Sequence, residues 1–143
     1  IEKFFLDKYR IGVSFWKGSS ERQKRWLASV HGILGFTERS YLLTETAWQN
    51  LESKAQGAGL ETGIFHFSRF GYELIKGLHL TAMEDLSESN VTQPDSLTFL
   101  FGLGPVWYPR PHFELELFFS QRKILKQSRE FEDYAYLMLH YYL

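Results

Sequence analysis

Two stretches of this 143-residue chain carry residue types that could do chemistry. The first is Gly104-Pro105-Val106-Trp107-Tyr108-Pro109-Arg110-Pro111, which holds three of the four prolines. Proline fixes φ and removes an amide donor, so the segment reads as a stiff loop between two strands. Such a loop would present Trp107, Tyr108 and Arg110 in a preset pose. Those residue types dominate binding hot spots, and rigid aromatic side chains lose little entropy on association. They are the expected partner-binding residues; the competing reading is a plug over the core. The second stretch is His112-Phe113-Glu114-Leu115-Glu116. On a strand, His112, Glu114 and Glu116 share one side at about 6.6–6.8 Å spacing. Two carboxylates and an imidazole so placed could hold a hard divalent cation or act as acid and base. A solvated strand face is the competing reading.

No other catalytic pattern is present. There is no cysteine, which removes thiolate, disulfide and Cys-zinc chemistry. Gly-x-Ser-x-Gly and Walker A loops are missing, and Gly102-Leu103-Gly104 lacks both a third glycine and a following helix. His31, His66, His79 and His140 do not pair at ligand spacing and read as hydrogen-bonded structural side chains. No cofactor is implied.

Two partial resemblances bear on function. Pro94-Asp95 ahead of one strand, with Glu114-Leu115-Glu116 on the next, resembles the metal site of restriction-type endonucleases. That resemblance implies Mg²⁺ held by Asp95 and Glu114, with Glu116 in the position that usually carries lysine. Phe15-Trp16-Lys17-Gly18, followed by Ser20-Glu21 and Trp26, is similar to the N-terminal part of bacterial immunity proteins, which neutralise a cognate toxin. That resemblance implies tight protein binding without catalysis, in the cytoplasm.

Composition sets the frame. The formal net charge is −1, which gives no field favouring nucleic acid or an acidic membrane. The balance is uneven: residues 1–39 carry eight Lys/Arg against four Asp/Glu, and residues 40–96 three against eight. Aromatic residues are 17% of the chain, and most are expected in the core. No apolar run is long enough for a transmembrane helix and no signal peptide is visible, so no membrane association is expected. The chain opens on Ile1 and stops inside an apolar pattern at Leu143, so the natural polypeptide is expected to extend further.

The elements that must position these residues follow from periodicity. Residues 8–16 alternate as a half-buried strand. Ser20 and Gln23 form a capping-box pattern, and Trp26, Leu27, Val30, Ile33 and Leu34 repeat at helical spacing; the expectation is a helix over 20–34 ending at Gly35. A second helix is expected from Thr44 to Gln56, then a strand over 61–70. Residues 72–83 fit either a strand or a short helix. Strands are expected over 97–103 and 112–119, the latter with Phe113, Leu115, Leu117 and Phe119 inward and its acidic residues outward. From Gln121 the spacing of Ile124, Leu125, Phe131, Tyr134, Ala135 and Met138 predicts a C-terminal helix.

The sum is a single α+β domain over 1–143: a mostly antiparallel sheet of about four to five strands with two N-terminal helices and a C-terminal helix on one face. The expected function is a non-enzymatic protein-binding or inhibitory module in the cytoplasm. The alternative is a Mg²⁺-dependent nuclease-like enzyme on Asp95, Glu114 and Glu116.

Overall fold

The computed structural model describes residues 2–5, 8–53, 59–92, 97–125 and 130–142. They form one antiparallel sheet of nine strands in chain order: β1 (Glu2–Phe5), β2 (Tyr9–Ser19), β3 (Gln23–Gly35), β4 (Ser40–Ser53), β5 (Leu60–Ile75), β6 (Leu78–Glu88), β7 (Thr98–Arg110), β8 (Phe113–Ile124) and β9 (Glu132–Tyr141). Each strand pairs only with its sequence neighbours, and β1 and β9 do not meet. There is no helix among the described residues.

The α+β expectation is therefore overturned, together with all three helices. The segment over 20–34 is largely β3, the segment over 44–56 is largely β4, and the C-terminal segment is the end of β8 followed by β9. The error has a physical source. Trp26, Ala28, Val30, Gly32 and Leu34 share one side of β3, while Leu27, Ser29, His31 and Ile33 share the other. Small residues at alternate positions thin the period-2 signal, and apolar residues on both sides supply apparent i, i+3 and i+4 matches. The Ser20 pattern is reused rather than absent. Ser20 N donates to Gln23 O at 2.8 Å and Gln23 N donates to Ser20 Oγ at 3.2 Å, closing the β2–β3 turn.

The proline-framed segment is also not a loop. Gly104 to Arg110 lie inside β7, and only Pro111 and His112 make the turn to β8. The β7–β8 register skips Gly104 and Pro105, then resumes unshifted at Val106↔Glu116. Pro105 has no amide to donate. Gly104 lets the strands approach, since a Cβ there would sit 2.0 Å from Leu117 O. A bulge between Trp107 and Arg110 takes up one extra residue.

The connections sort by end. At one end the links β1–β2, β3–β4, β5–β6 and β7–β8 are three, four, two and two residues long. At the other the links β2–β3, β4–β5, β6–β7 and β8–β9 are three, six, nine and seven. Gly77, at φ 80°, makes the two-residue β5–β6 turn possible.

A single sheet has two faces, and here they are inverted relative to a water-soluble core. One face carries Ile11, Val13, Phe15, Val30, Leu80, Leu103, Leu117 and Leu137, all exposed. Phe15 and Leu137 are each 69% exposed. The other face carries Ser29, Thr81, Glu114, Glu116 and Ser120, all buried. The rings are spread over both faces and pair across strands rather than gathering in one aromatic core.

Candidate functional site on the concave polar face

The polar face is strongly curved. β5 and β8 lie three strand spacings apart, roughly 14 Å on a flat sheet. Register adds to it: Arg69 is level with Ser120, four residues along β8 from Glu116, so the flat separation is roughly 20 Å, farther than the two extended side chains and a hydrogen bond can reach. Yet Arg69 on β5 donates from Nη2 to Glu116 Oε1 on β8 at 2.9 Å. The bridge crosses a row of short side chains, where the fully buried Thr81 donates to Gly104 O at 2.9 Å. Among the described residues only strands adjacent in sequence approach backbone to backbone, so no second layer of secondary structure covers this face. Its burial comes from curvature and from its own side chains.

Around that bridge a row of titratable and aromatic side chains runs toward the short-turn end. Tyr136 on β9 donates to Glu116 Oε1 at 3.0 Å. Tyr108 on β7 donates to Glu114 Oε1 at 3.4 Å, and Tyr142 donates to Glu114 Oε2. That bond to a carboxylate, with some desolvation, raises the Tyr142 hydroxyl above its usual pKa. His140 lies 3.5 Å from Glu114, and His79 lies 4.0 Å from Glu73. The rings of Tyr41, His79 and Tyr108 follow one another across β4, β6 and β7 at 6.2 and 5.6 Å. Glu116 is completely buried, and its Oε2, like Arg69 Nε, has no hydrogen-bond partner among the described residues. The arrangement is a charged, hydroxyl-rich wall with one guanidinium set among the carboxylates of Glu73, Glu114 and Glu116.

The residues singled out by sequence do not converge. Trp107 stands on the apolar face, 47% exposed, in a groove with Ile75, Leu78, Pro105, Leu115, Leu117 and Leu137. Tyr108 points to the opposite, polar face. Arg110 lies over the Phe113 ring, 5.6 Å from its centroid. Glu114 and Glu116 do share a face, but it is the buried one; Phe113, Leu115, Leu117 and Phe119 turn the other way, which reverses the expected orientation. His112 leaves the strand and sits in the β7–β8 turn at φ 66°. Asp95 lies outside the described residues. Among the described residues no three His, Asp or Glu side chains converge as metal ligands.

Arg69, Tyr136 and Tyr142 were not legible as site residues. Arg69 and Tyr136 are single residues in alternating strands and Tyr142 follows the end of β9; only the pairing and curvature of the sheet bring them to the two glutamates. Compared with protein-family models, curated proteins and solved structures, the chain matches none.

Proposed function

We propose that this chain forms wall of a membrane-spanning antiparallel β-barrel of the outer-membrane type, with its apolar face against lipid and its polar face toward the lumen. The observation that carries the reading is the inversion of the faces. Leu137 and Phe15 stand open while Glu116 is enclosed. A water-soluble monomer rarely exposes a contiguous apolar patch above a few hundred Å². Lipid removes that penalty, and a lumen accepts the charges.

Three further features support it. Strands β2 to β9 run 10 to 16 residues, long enough to cross a hydrocarbon core at a barrel tilt. Short turns at one end and longer loops at the other match the asymmetry of such barrels. On the apolar face, Phe15, Trp26, Trp48 and Phe101 lie toward the loop end, and Phe70, Tyr72, Trp107 and Tyr141 toward the turn end. These are two aromatic girdles flanking a middle that is aliphatic at Val13, Val30, Leu117 and Leu137 and polar on β4 to β6. Among the described residues no helix is long and apolar enough to cross a membrane; in this reading the crossing is made by strands. The compartment it implies is an outer membrane rather than the cytoplasm.

A second reading keeps a protein partner. Trp107, exposed in its apolar groove, would then be the anchor beneath another protein, with Arg110 beside it. One experiment separates the two. Single-tryptophan variants keeping only Trp107 or only Trp16, which lies on the polar face, are refolded into vesicles of brominated phosphatidylcholine. Strong quenching of Trp107 with Trp16 spared is expected. A chain that stays folded and monodisperse without detergent and ignores the vesicles would overturn the membrane reading and favour the protein partner.

A further inference from the structure

Besides polar residues toward its loop end, such as Asn50 and Thr62, the apolar face has a polar interruption halfway along β4, β5 and β6. Thr44 and Thr46 stand beside His66 and Ser68, which stand beside Glu84. Each strand flanks them with apolar residues: Leu42 and Trp48, Ile64 and Phe70, Ala82 and Leu86. The group is wired together. Thr46 Oγ1 lies 2.8 Å from His66 Nδ1, Ser68 Oγ lies 2.9 Å from His66 Nε2, and Thr44 Oγ1 lies 3.5 Å from Ser68 Oγ. Glu84 Oε1 lies 3.5 Å from His66 Nε2, and the Glu84 side chain is 43% exposed.

This inference rests on the membrane reading. Against lipid tails, a half-exposed carboxylate at mid-depth has no solvent on its open side, and ionisable residues inside a membrane mark a contact or pathway by default. Of the possible covers, a second copy fits the charges without any added assumption. His66 is on β5 and Glu84 on β6, offset diagonally by one strand. A two-fold axis along the membrane normal, passing between β5 and β6, lays β5 of one copy against β6 of the other. Each imidazole, already 3.5 Å from the carboxylate of its own copy, then faces a second one, so the two His66–Glu84 pairs lie head to tail. The hydroxyls of Thr44, Thr46 and Ser68 both donate and accept, so they can pair with their own copies. The same axis keeps the short turns of both copies on one side of the membrane. A self-complementary patch of this kind is the hallmark of an isologous contact.

We propose that two copies of this chain associate within the bilayer through the polar patch of β4, β5 and β6, with His66 of each copy facing Glu84 of the other. The test uses the whole chain in detergent micelles and in vesicles. Because it has no cysteine, Ser68→Cys introduces a unique thiol. A short bis-maleimide should link two copies through it, while Leu137→Cys on β9 should give little product. In sedimentation equilibrium, Glu84→Gln and His66→Phe should each weaken the dimer about tenfold or more, with the β-sheet circular dichroism unchanged. A chain monomeric throughout, or a dimer indifferent to both substitutions, overturns the proposal. So does cross-linking of Ser68→Cys in native membranes to a different polypeptide alone. If Trp107 is still quenched by brominated lipid in those cases, the membrane reading survives; if it is not, that reading has failed as well.

Discussion

Leu117→Arg gives the sharpest test of the inverted faces. Leu117 sits on the apolar face of β8, in register with Leu137, and is 37% exposed. Along the strand it is four residues from Phe113 and six from Lys123. At about 3.4 Å per residue these are roughly 14 and 20 Å, longer than an arginine can snorkel. An arginine at the midplane of a barrel's lipid face costs about 2–4 kcal/mol, and near the interface about 0–1 kcal/mol. The folded-to-unfolded ratio should therefore fall about 30- to 700-fold for Leu117→Arg. Gln121→Arg, on the same face but toward the loop end, should cost little. In water the expectation is different, since a substitution at an exposed site usually lies within about 0.5 kcal/mol. Urea titrations of the refolded chain in phosphatidylcholine vesicles, followed by tryptophan emission, measure both. Equal, small costs at the two positions would refute the assignment of this face to lipid.

Other outcomes follow from the polar face. Arg69→Met leaves the enclosed Glu116 carboxylate with only the Tyr136 hydroxyl, and should destabilise by about 3–5 kcal/mol. Adding Glu116→Gln should recover part of that loss, giving a coupling of at least about 1 kcal/mol in a double-mutant cycle by chemical denaturation. Gly104→Val places a Cβ 2.0 Å from Leu117 O and 2.8 Å from Phe118 Cα, contacts that backbone cannot yield cheaply. The β7–β8 ladder should open, seen as faster amide exchange there than at β3–β4, with a cost above about 2 kcal/mol.

Part of this fold was readable in the sequence. The alternation in 8–16, 61–70, 97–103 and 112–119 located β2, β5, β7 and β8. In β3 and β4 both faces carry apolar residues, and Thr44 and Thr46 stand where large side chains would have marked the apolar side, so period 2 was hidden. The direction of the faces was misread for another reason. Assigning Phe113, Leu115, Leu117 and Phe119 to the interior assumes that water is the solvent outside. Glu114 and Glu116 were recognisable as one face of a strand, but their partners come from β5, β7, β9 and the residue after β9, which no local pattern reveals. The prolines misled because Pro105 and Pro109 are tolerated in a strand where Gly104 and a bulge relieve the ladder.

The absence of contact between β1 and β9 has an arithmetic consequence. In a meander of nine strands the first and last point the same way, so joining them directly would make the only parallel seam in the sheet. A closed, wholly antiparallel cylinder that includes these nine thus needs an odd complement of additional strands. The strand laid against β9 would have to run in the direction of β8 and repeat its in–out alternation, with oily side chains level with Leu137 and Leu139.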